Sequence, residues 1–406
     1  MEQARKQLLS AFLPVKTETV ALEKVPGRVL AEDFYAPFDL PIFNNSSMDG
    51  FAVITEDTLS ASPEHPVRLS VIGEIPAGAA PTFTLVNGQA VRIMTGAPLP
   101  EGANAVVRVE DTDQSFLQPR ESLSESVLLM KPVNRGENVR KRGADIRKGE
   151  LLLTSGSLLT PQAVGVLAMC GKPSIQVYCP VRVALIITGS ELLQPGEPLK
   201  PGRIYDANSY FLNAFLQSSS CEVIKTPPVP DDFLKVEELF DNLAAQHPDL
   251  ILTSAGISVG SHDPIRTVLQ KSGNLEFWRV NVRPGKPLSF GHYRNVPLIA
   301  LPGNPVSAYV TYMLFVQPVI RKMSGLQELL PRVYQAILQS PVISDGRESY
   351  LRGDVQFDGN QYLAIAQNNQ ESSHLASLTR ANALLIVPSG VKSLPTGSKV
   401  DFLWVN

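Results

Sequence analysis

Residues 253–260 read TSAGISVG, preceded by the apolar run PDLIL and followed by His262 and Asp263. Small residues between a strand and a helix let a ligand approach the backbone. The N–H groups and dipole of a helix start then favour an anion such as phosphate. Ser254, Gly256, Ser258 and Gly260 are the candidate contacts. The run matches neither the P-loop nor the dinucleotide fingerprint, so by itself it also reads as a plain turn. Carboxylates supply companion chemistry: Glu191 in TGSELL, Asp231 and Asp232 in VPDD, and Asp263 after the loop. Three carboxylates at one edge repel one another unless a cation lies between them, and an oxygen-seeking Mg2+ suits that place. Asp231 and Asp232 read equally as helix caps, and Glu191 as a solvated first-turn charge. RVNVRPGKP brings Arg279, Arg283 and Lys286 together, either to hold an anion or to end a solvated strand. The run 137–150 holds five cations against three acids, and a solvated face stands beside anion contact there. The five histidines (65, 247, 262, 292, 374) lack zinc spacing, and neither CxxC nor a Ser-His-Asp elbow occurs. Zinc and covalent nucleophilic chemistry are disfavoured.

The elements that must position these residues lie in 181–325, where strands and helices alternate. VRVALIIT (181–188) is a near-continuous apolar run, as expected of a strand covered on both faces. Asn208 is placed to cap a helix through about Gln217, and CEVIKT reads as a strand. Asp231 or Asp232 caps a helix to about Gln246; DLILT is a third strand, and a helix starts near Asp263. LEFWRVNV and VPLIAL are further strands, and Val306–Met323 is the last helix. This rhythm builds a parallel sheet through right-handed crossovers. Ligands of such sheets sit beyond the carboxyl ends of the strands. TGSELL, VPDD, TSAGISVG and LPGNPVSA should therefore converge there into a metal–phosphate pocket.

The flanks have other textures. Residues 1–180 are β-rich and irregular, with runs such as VRLSVIGEI and SVLLMKPV between Gly, Pro and Asn. Residues 326–406 return to short strands, which suggests a small all-β domain. At 406 residues the chain is too long for one ordinary core. Apolar residues at 44% and charged residues at 18% suit a globular protein and exclude wholesale disorder. A formal charge of −3 gives no reason to expect nucleic acid or an anionic membrane. Cys170, Cys179 and Cys221 lack ligand spacing and read as reduced, buried thiols. The N-terminal MEQARKQLLSAFLPV has no run long enough for a signal peptide and reads as a short amphipathic helix stopped by Pro14. The most membrane-like stretch, 298–320, is broken by Pro302, Gly303, Asn304 and Pro305. About fifteen residues remain, short of the ~20 a span needs. A cytoplasmic location is expected.

Taken together, these stretches resemble the MoeA-type molybdopterin molybdenumtransferases, the family that includes the C-terminal part of gephyrin. The matching stretches are NNSSMDGFAV (44–53), GEIPAGAAP (73–81), VRIMTGAPLPEGANAVVRVED (91–111) and GENVRKRGADIRKGE (136–150). They continue with ITGSELLQPGEPLKPGRIYDANSY (187–210), SAGISVGSHD (254–263), FWRVNVRPGKPLSFG (277–291) and LPGNPVSAYV (301–310). They run in order through nearly the whole chain.

The resemblance implies a multidomain α/β plus β protein. An elongated N-terminal, dimerising domain would comprise 1–45 and 143–177, with a β-rich domain at 46–142. A parallel-sheet molybdopterin-binding domain would span 178–325, and a C-terminal β domain 326–406. It implies a homodimer, with an upstream molybdopterin adenylyltransferase and molybdoenzyme apoproteins as further partners, and neither nucleic acid nor membrane. The implied reaction takes adenylylated molybdopterin and molybdate, cleaves the phosphoanhydride with Mg2+ and releases AMP. By the same resemblance Glu191, Asp231 and Asp263 lie at the metal and phosphate, with Asp49 and Thr95 supplied by the partner. Thr188, Gly189, Ser190 and Arg279 join the cofactor-binding set, and Pro302, Gly303, Asn304 and Pro305 shape the pocket. Arg283, Lys286, Ser307, Arg352 and Ser373 form the molybdate side. The chain departs from the family at Ala255, where the loop usually has glycine, and at Arg279 and Arg283, where lysines are usual. The alternatives are the adenylyltransferase, which shares the middle fold, and a non-catalytic scaffold module.

Overall fold

A computed structural model describes residues 1–114, 123–254 and 264–405. The chain forms two compact units. One comprises Met1–Glu32, Ser155–Ala168 and Lys172–Asn406, the other Asp33–Thr154 and Met169–Gly171. The four-part division expected from the sequence is finer than this.

In the smaller unit, five strands pair in the order Ala105–Arg108, Gly50–Val53, Gln89–Ile93, Val67–Ile75, Ser126–Leu129. Gly50–Val53 is buried along its whole length. Phe51 and Val53 pack into one apolar cluster and Ala52 into another, so both faces of the sheet are covered. That burial is why GFAV is continuously apolar rather than alternating. Gly50 is required: a Cβ there would lie 2.0 Å from the Val107 carbonyl oxygen of the neighbouring strand.

The larger unit holds the α/β sheet. Its order is Glu222–Lys225, Arg182–Ile187, Leu250–Ser254, Val296–Leu301, Pro287–Tyr293, Gly273–Arg279. The first four strands are parallel and the fifth is antiparallel to both its neighbours, so the sheet is mixed. The strand Pro287–Tyr293 was not anticipated from sequence. It begins with Pro and carries Ser289 and Gly291, which weaken a local strand signal. Its hydrogen bonds come from two neighbours distant in sequence. Leaving the Arg182–Ile187 strand, the chain goes first to one side of it and then to the other. This reversal opens the crevice in which ligands of such sheets bind.

Helices cover the sheet at Asn208–Ser218, Phe233–Ala244, Pro264–Ser272 and Pro305–Met323. The last is interrupted by a π-helical turn, Tyr312–Val316. Asp232 caps the second helix, accepting from the Lys235 N–H at 3.0 Å, which leaves Asp231 free of that duty. At the first helix the expectation is corrected. Asp206, not Asn208, bonds the helix start, accepting from Ser209 N–H at 3.0 Å, and Asn208 turns to other partners. No helix among the described residues is long and apolar enough to cross a membrane.

The C-terminal strands close into a barrel. The order runs Glu348–Phe357, Tyr362–Ala366, Tyr334–Leu338, Lys399–Trp404, Ala383–Val387, and the last pairs back with the first. Val282–Arg283 from the α/β region joins this barrel in parallel with Glu348–Ser349. The RPGKP segment is thereby held against the barrel. Gly285 within it has φ +112°, and a Cβ there would meet Thr311 Oγ1 at 2.5 Å, so this turn also requires glycine. All three cysteines are free, and burial pushes each thiol above its ordinary range.

Candidate active site

A cavity of about 1,000 Å3 opens at the carboxyl ends of the parallel strands. Its lining joins segments far apart in sequence. Thr188 and Glu191 follow the first strand, and Ser254 ends the third. Pro302, Gly303, Asn304, Pro305 and Ser307 form the turn into the last helix, and Arg283 and Lys286 come from the barrel-bound loop. Ser373 lines it from the C-terminal domain.

The turn after the first strand is locked to the loop after the second. Ser190 N–H donates to Asp231 Oδ2 and Asp231 N–H donates to Ser190 Oγ, both at 3.0 Å. Gly189 N–H donates to the Val229 carbonyl at 3.2 Å within the same junction. Two carboxylates, Glu191 and Asp231, therefore flank a rigid turn. Among the described residues no group of three or more His, Cys, Asp or Glu is close enough to hold a metal ion.

Ser254 is fully buried, and its orientation follows from its partners. Its Oγ donates to the Pro302 carbonyl at 3.1 Å and accepts from Asn208 Nδ2 at 2.8 Å. Asn208 Nδ2 also donates to the Gly303 carbonyl at 2.8 Å. One carboxamide thus ties the helix start to the strand end and to the PGN turn. Asn304 Nδ2 donates to Ser372 Oγ at 3.1 Å, linking that turn to the C-terminal domain.

The cationic side is richer than the sequence suggested. Arg347 lines the cavity beside Arg283 and Lys286. Its guanidinium donates to Asp345 from Nε at 2.9 Å, and Arg283 Nη1 lies 3.8 Å from the same carboxylate. Those hydrogen bonds from Arg347 hold the Asp345 carboxyl below its usual range. Arg352 does not line the cavity. It is completely buried beneath the wall, donating from Nη2 to the carbonyls of Asn369 and Glu371 at 2.9 and 3.1 Å. Its Nε and Nη1 find no hydrogen-bond partner among the described residues, and burial lowers its pKa.

Gly256, Ser258, Gly260 and Asp263 lie outside the described residues, as does Ala255. Arg279 ends a strand whose backbone alone is described there. Asp49 and Thr95 belong to the smaller unit. Asp49 Oδ1 accepts from the Thr95 N–H at 2.7 Å and from its hydroxyl at 2.8 Å, so the side chain does more than close its own turn.

Asp206, Asn208, Arg347 and the 370–372 segment also line the cavity, and the sequence did not single out this role. For Asp206 and Asn208 a signal existed, since polar residues opening a helix at a sheet edge face the same crevice. For Arg347 and 370–372 none existed, because only barrel closure brings them here.

Comparison with known proteins gives a consistent result. The model of the MoeA N-terminal region (domain I and II) matches residues 1–171, a probable molybdopterin binding domain matches 184–322, and the MoeA C-terminal region (domain IV) matches 335–405. The chain is 36% identical over 402 residues to molybdopterin molybdenumtransferase 2 of Mycobacterium tuberculosis, covering 97% of this chain and 96% of that one. It is 35% identical to the molybdopterin molybdenumtransferase of Haemophilus influenzae, covering 98% and 97%. Among solved structures, a molybdopterin biosynthesis MoeA protein from Pyrococcus horikoshii superposes with a TM-score of 0.83 at 33% identity, covering 100% of this chain and 98% of that one.

Proposed function

The chain belongs to the MoeA family of molybdopterin molybdenumtransferases, and from that premise we propose that its cavity takes adenylylated molybdopterin and molybdate, cleaves the phosphoanhydride, releases AMP and leaves molybdenum on the dithiolene. One observation carries this reading: a single cavity is lined by both carboxylate and cationic side chains. Glu191 lines it, with Asp231 clasped to the adjoining Ser190, and Arg283, Lys286 and Arg347 line it as well.

The acidic side suits Mg2+. That ion is usually held by one or two carboxylates together with substrate phosphate oxygens rather than by an all-protein cage. Glu191 and Asp231 are hard oxygen donors of this kind, and with Asp263 they would hold it. When bound, it neutralises charge that develops on the phosphate oxygens. The chain's own residues do the positioning. The Ser190–Asp231 clasp fixes the turn on the acidic side. The Asn208–Ser254–Pro302 chain of hydrogen bonds fixes the Pro302–Asn304 turn.

The cationic side suits molybdate, a compact dianion. Arg283, Lys286 and Arg347 offer charge-assisted donors, with the Ser307 and Ser373 hydroxyls beside them. Arg352 supports this side from beneath: a buried guanidinium without a carboxylate partner raises the local potential and stiffens the 369–371 wall. Ordinarily such a charge is paired or neutralised.

The working form we propose is a homodimer in the cytoplasm, with Asp49 and Thr95 reaching the partner's cavity. Exposed Ile42, Phe43 and Met48, close to Asp49 in sequence, supply apolar surface for such a contact. An upstream adenylyltransferase and recipient apoproteins are the further partners the reaction implies. The test is AMP release from adenylylated molybdopterin, with Mg2+ and molybdate each omitted in turn. Release that requires both is expected. Formation of adenylylated molybdopterin from molybdopterin and ATP, without molybdate-dependent AMP release, would overturn the reading.

A further inference from the structure

Arg283, Lys286 and Arg347 line the cavity, and two of these cations meet the same carboxylate. Arg347 donates to Asp345 from Nε at 2.9 Å, and Arg283 Nη1 stands 3.8 Å from it. Asp345 itself is not part of the lining; it stands behind the two arginines. Among the described residues, Lys286 has no carboxylate partner. Glu371, which also lines the cavity, meets His374 at 3.3 Å instead. Among the described residues, then, Asp345 is the carboxylate that the lining cations share.

The two contacts differ in kind. Asp345 is pinned within its own turn. Its Oδ1 accepts from the Arg347 backbone N–H at 3.1 Å, while the Arg347 guanidinium meets Oδ2 through Nε and Nη2. Arg347 is fixed in turn, donating from Nη1 to the Val282 carbonyl at 3.3 Å. Its own carbonyl accepts from the Ser349 hydroxyl at 3.0 Å. Arg283 is held more loosely. Its contact lies at the edge of ion-pair distance, with 37% and 38% of the two side chains exposed, and such pairs contribute little. Arg283 can therefore leave Asp345 for another anion, and Asp345 cannot follow it.

An anion that enters here meets a resident competitor. We infer that Asp345 is a positioning residue that sets how tightly the substrate oxyanion is held: it engages Arg283 until the oxyanion displaces it, and its fixed negative charge keeps the bound oxyanion weakly held. This step rests on the proposed function, which reads these cations as the donors to molybdate. Weak holding suits that role. Molybdenum must leave the cations for the dithiolene, and binding that is equally strong before and during transfer does not speed the transfer. Without Asp345 the cluster would grip molybdate more firmly and gain nothing in turnover.

The test measures binding of molybdate and of perrhenate, a tetrahedral oxyanion of similar shape with a single charge. The full-length wild type is compared with Asp345→Asn, Asp345→Ala and Asp345→Glu, and thermal melts check each fold. Coulomb energy follows the product of the charges, so removing one negative charge favours a dianion by twice the free energy it gives a monoanion. Asp345→Asn should bind molybdate about tenfold more tightly and perrhenate about threefold, with both gains shrinking as salt is raised. Asp345→Ala should show gains in the same order. Asp345→Glu keeps the charge and should stay within about twofold of wild type. A role confined to bracing Arg347 predicts a loss of binding instead. Unchanged or weaker molybdate binding in whichever neutral variant melts like wild type overturns the inference, as do equal gains for the two probes. So does a wild type that binds neither probe at millimolar concentration. Variants that tighten as described, in a protein without molybdate-dependent AMP release, overturn the proposed function and leave Asp345 its place at an anion site.

Discussion

Ser190 and Asp231 hold each other through two reciprocal hydrogen bonds, each N–H donating to the other's side chain at 3.0 Å. The pair joins the loop after the first parallel strand to the loop after the second. It holds the Asp231 carboxylate in place while engaging only Oδ2 among the described residues. Asp231→Asn should therefore keep the clasp, because an amide oxygen can still accept from Ser190 N–H, and lose only charge. We expect a folded protein whose AMP release falls about 10- to 100-fold at low Mg2+ and partly recovers as Mg2+ is raised. A variant with unchanged Mg2+ dependence would show that Asp231 serves the turn and not the ion.

Asp49 and Asp263 allow a complementation test. If the cleft is shared across a two-fold dimer, inactive Asp49→Ala and inactive Asp263→Ala chains should rescue one another when mixed. At equal mixing about half the dimers are mixed, each with one intact site of two, so about a quarter of wild-type activity should return. Mass measurement must confirm subunit exchange. Exchange without recovery would confine Asp49 to its bonds with Thr95.

Gly50→Ala tests the closest approach in the smaller unit. The added methyl would sit 2.0 Å from the Val107 carbonyl oxygen, and backbone cannot swing aside as a side chain can. Overpacking of this kind costs about 1–3 kcal/mol or more. Denaturant unfolding should show a lowered midpoint. An unchanged midpoint would mean that the sheet opens at this point at no cost.

Cys221 gives the protein an alkaline sensitivity. Burial pushes its thiol from 9.0 up to about 12. The folded chain then keeps a proton that the unfolded chain has lost, so this contribution is fully present below pH 9 and declines as pH rises towards 12. Melting temperature should fall across that window, and less steeply in Cys221→Ala. At pH 8 the native thiol should resist alkylation that proceeds readily after unfolding. Equal rates in both states would contradict the assignment.

The strands VRVALIIT and DLILT, the helix expected from Asn208, the helix after Asp231 or Asp232, and the convergence of TGSELL, VPDD and PGNP were legible in the sequence. They depend on local signals: continuous apolar runs, polar residues at helix starts, and Gly or Pro at turns. Once such strands alternate with helices, the handedness of the crossovers sends their carboxyl ends to one edge. The sequence left undecided which of Asp231 and Asp232 capped the helix. The fold decided it, because Asp232 meets Lys235 N–H while Asp231 finds Ser190 from another strand. It likewise gave the cap before Ser209 to Asp206, so that Asn208 could tie Ser254 to Gly303. Arg347 and the 370–372 wall carried no local mark at all. They reach the cavity because Val282–Arg283 pairs with Glu348–Ser349 in the barrel, and pairing between segments some 65 residues apart is set by long-range hydrogen bonds that no short window of sequence contains.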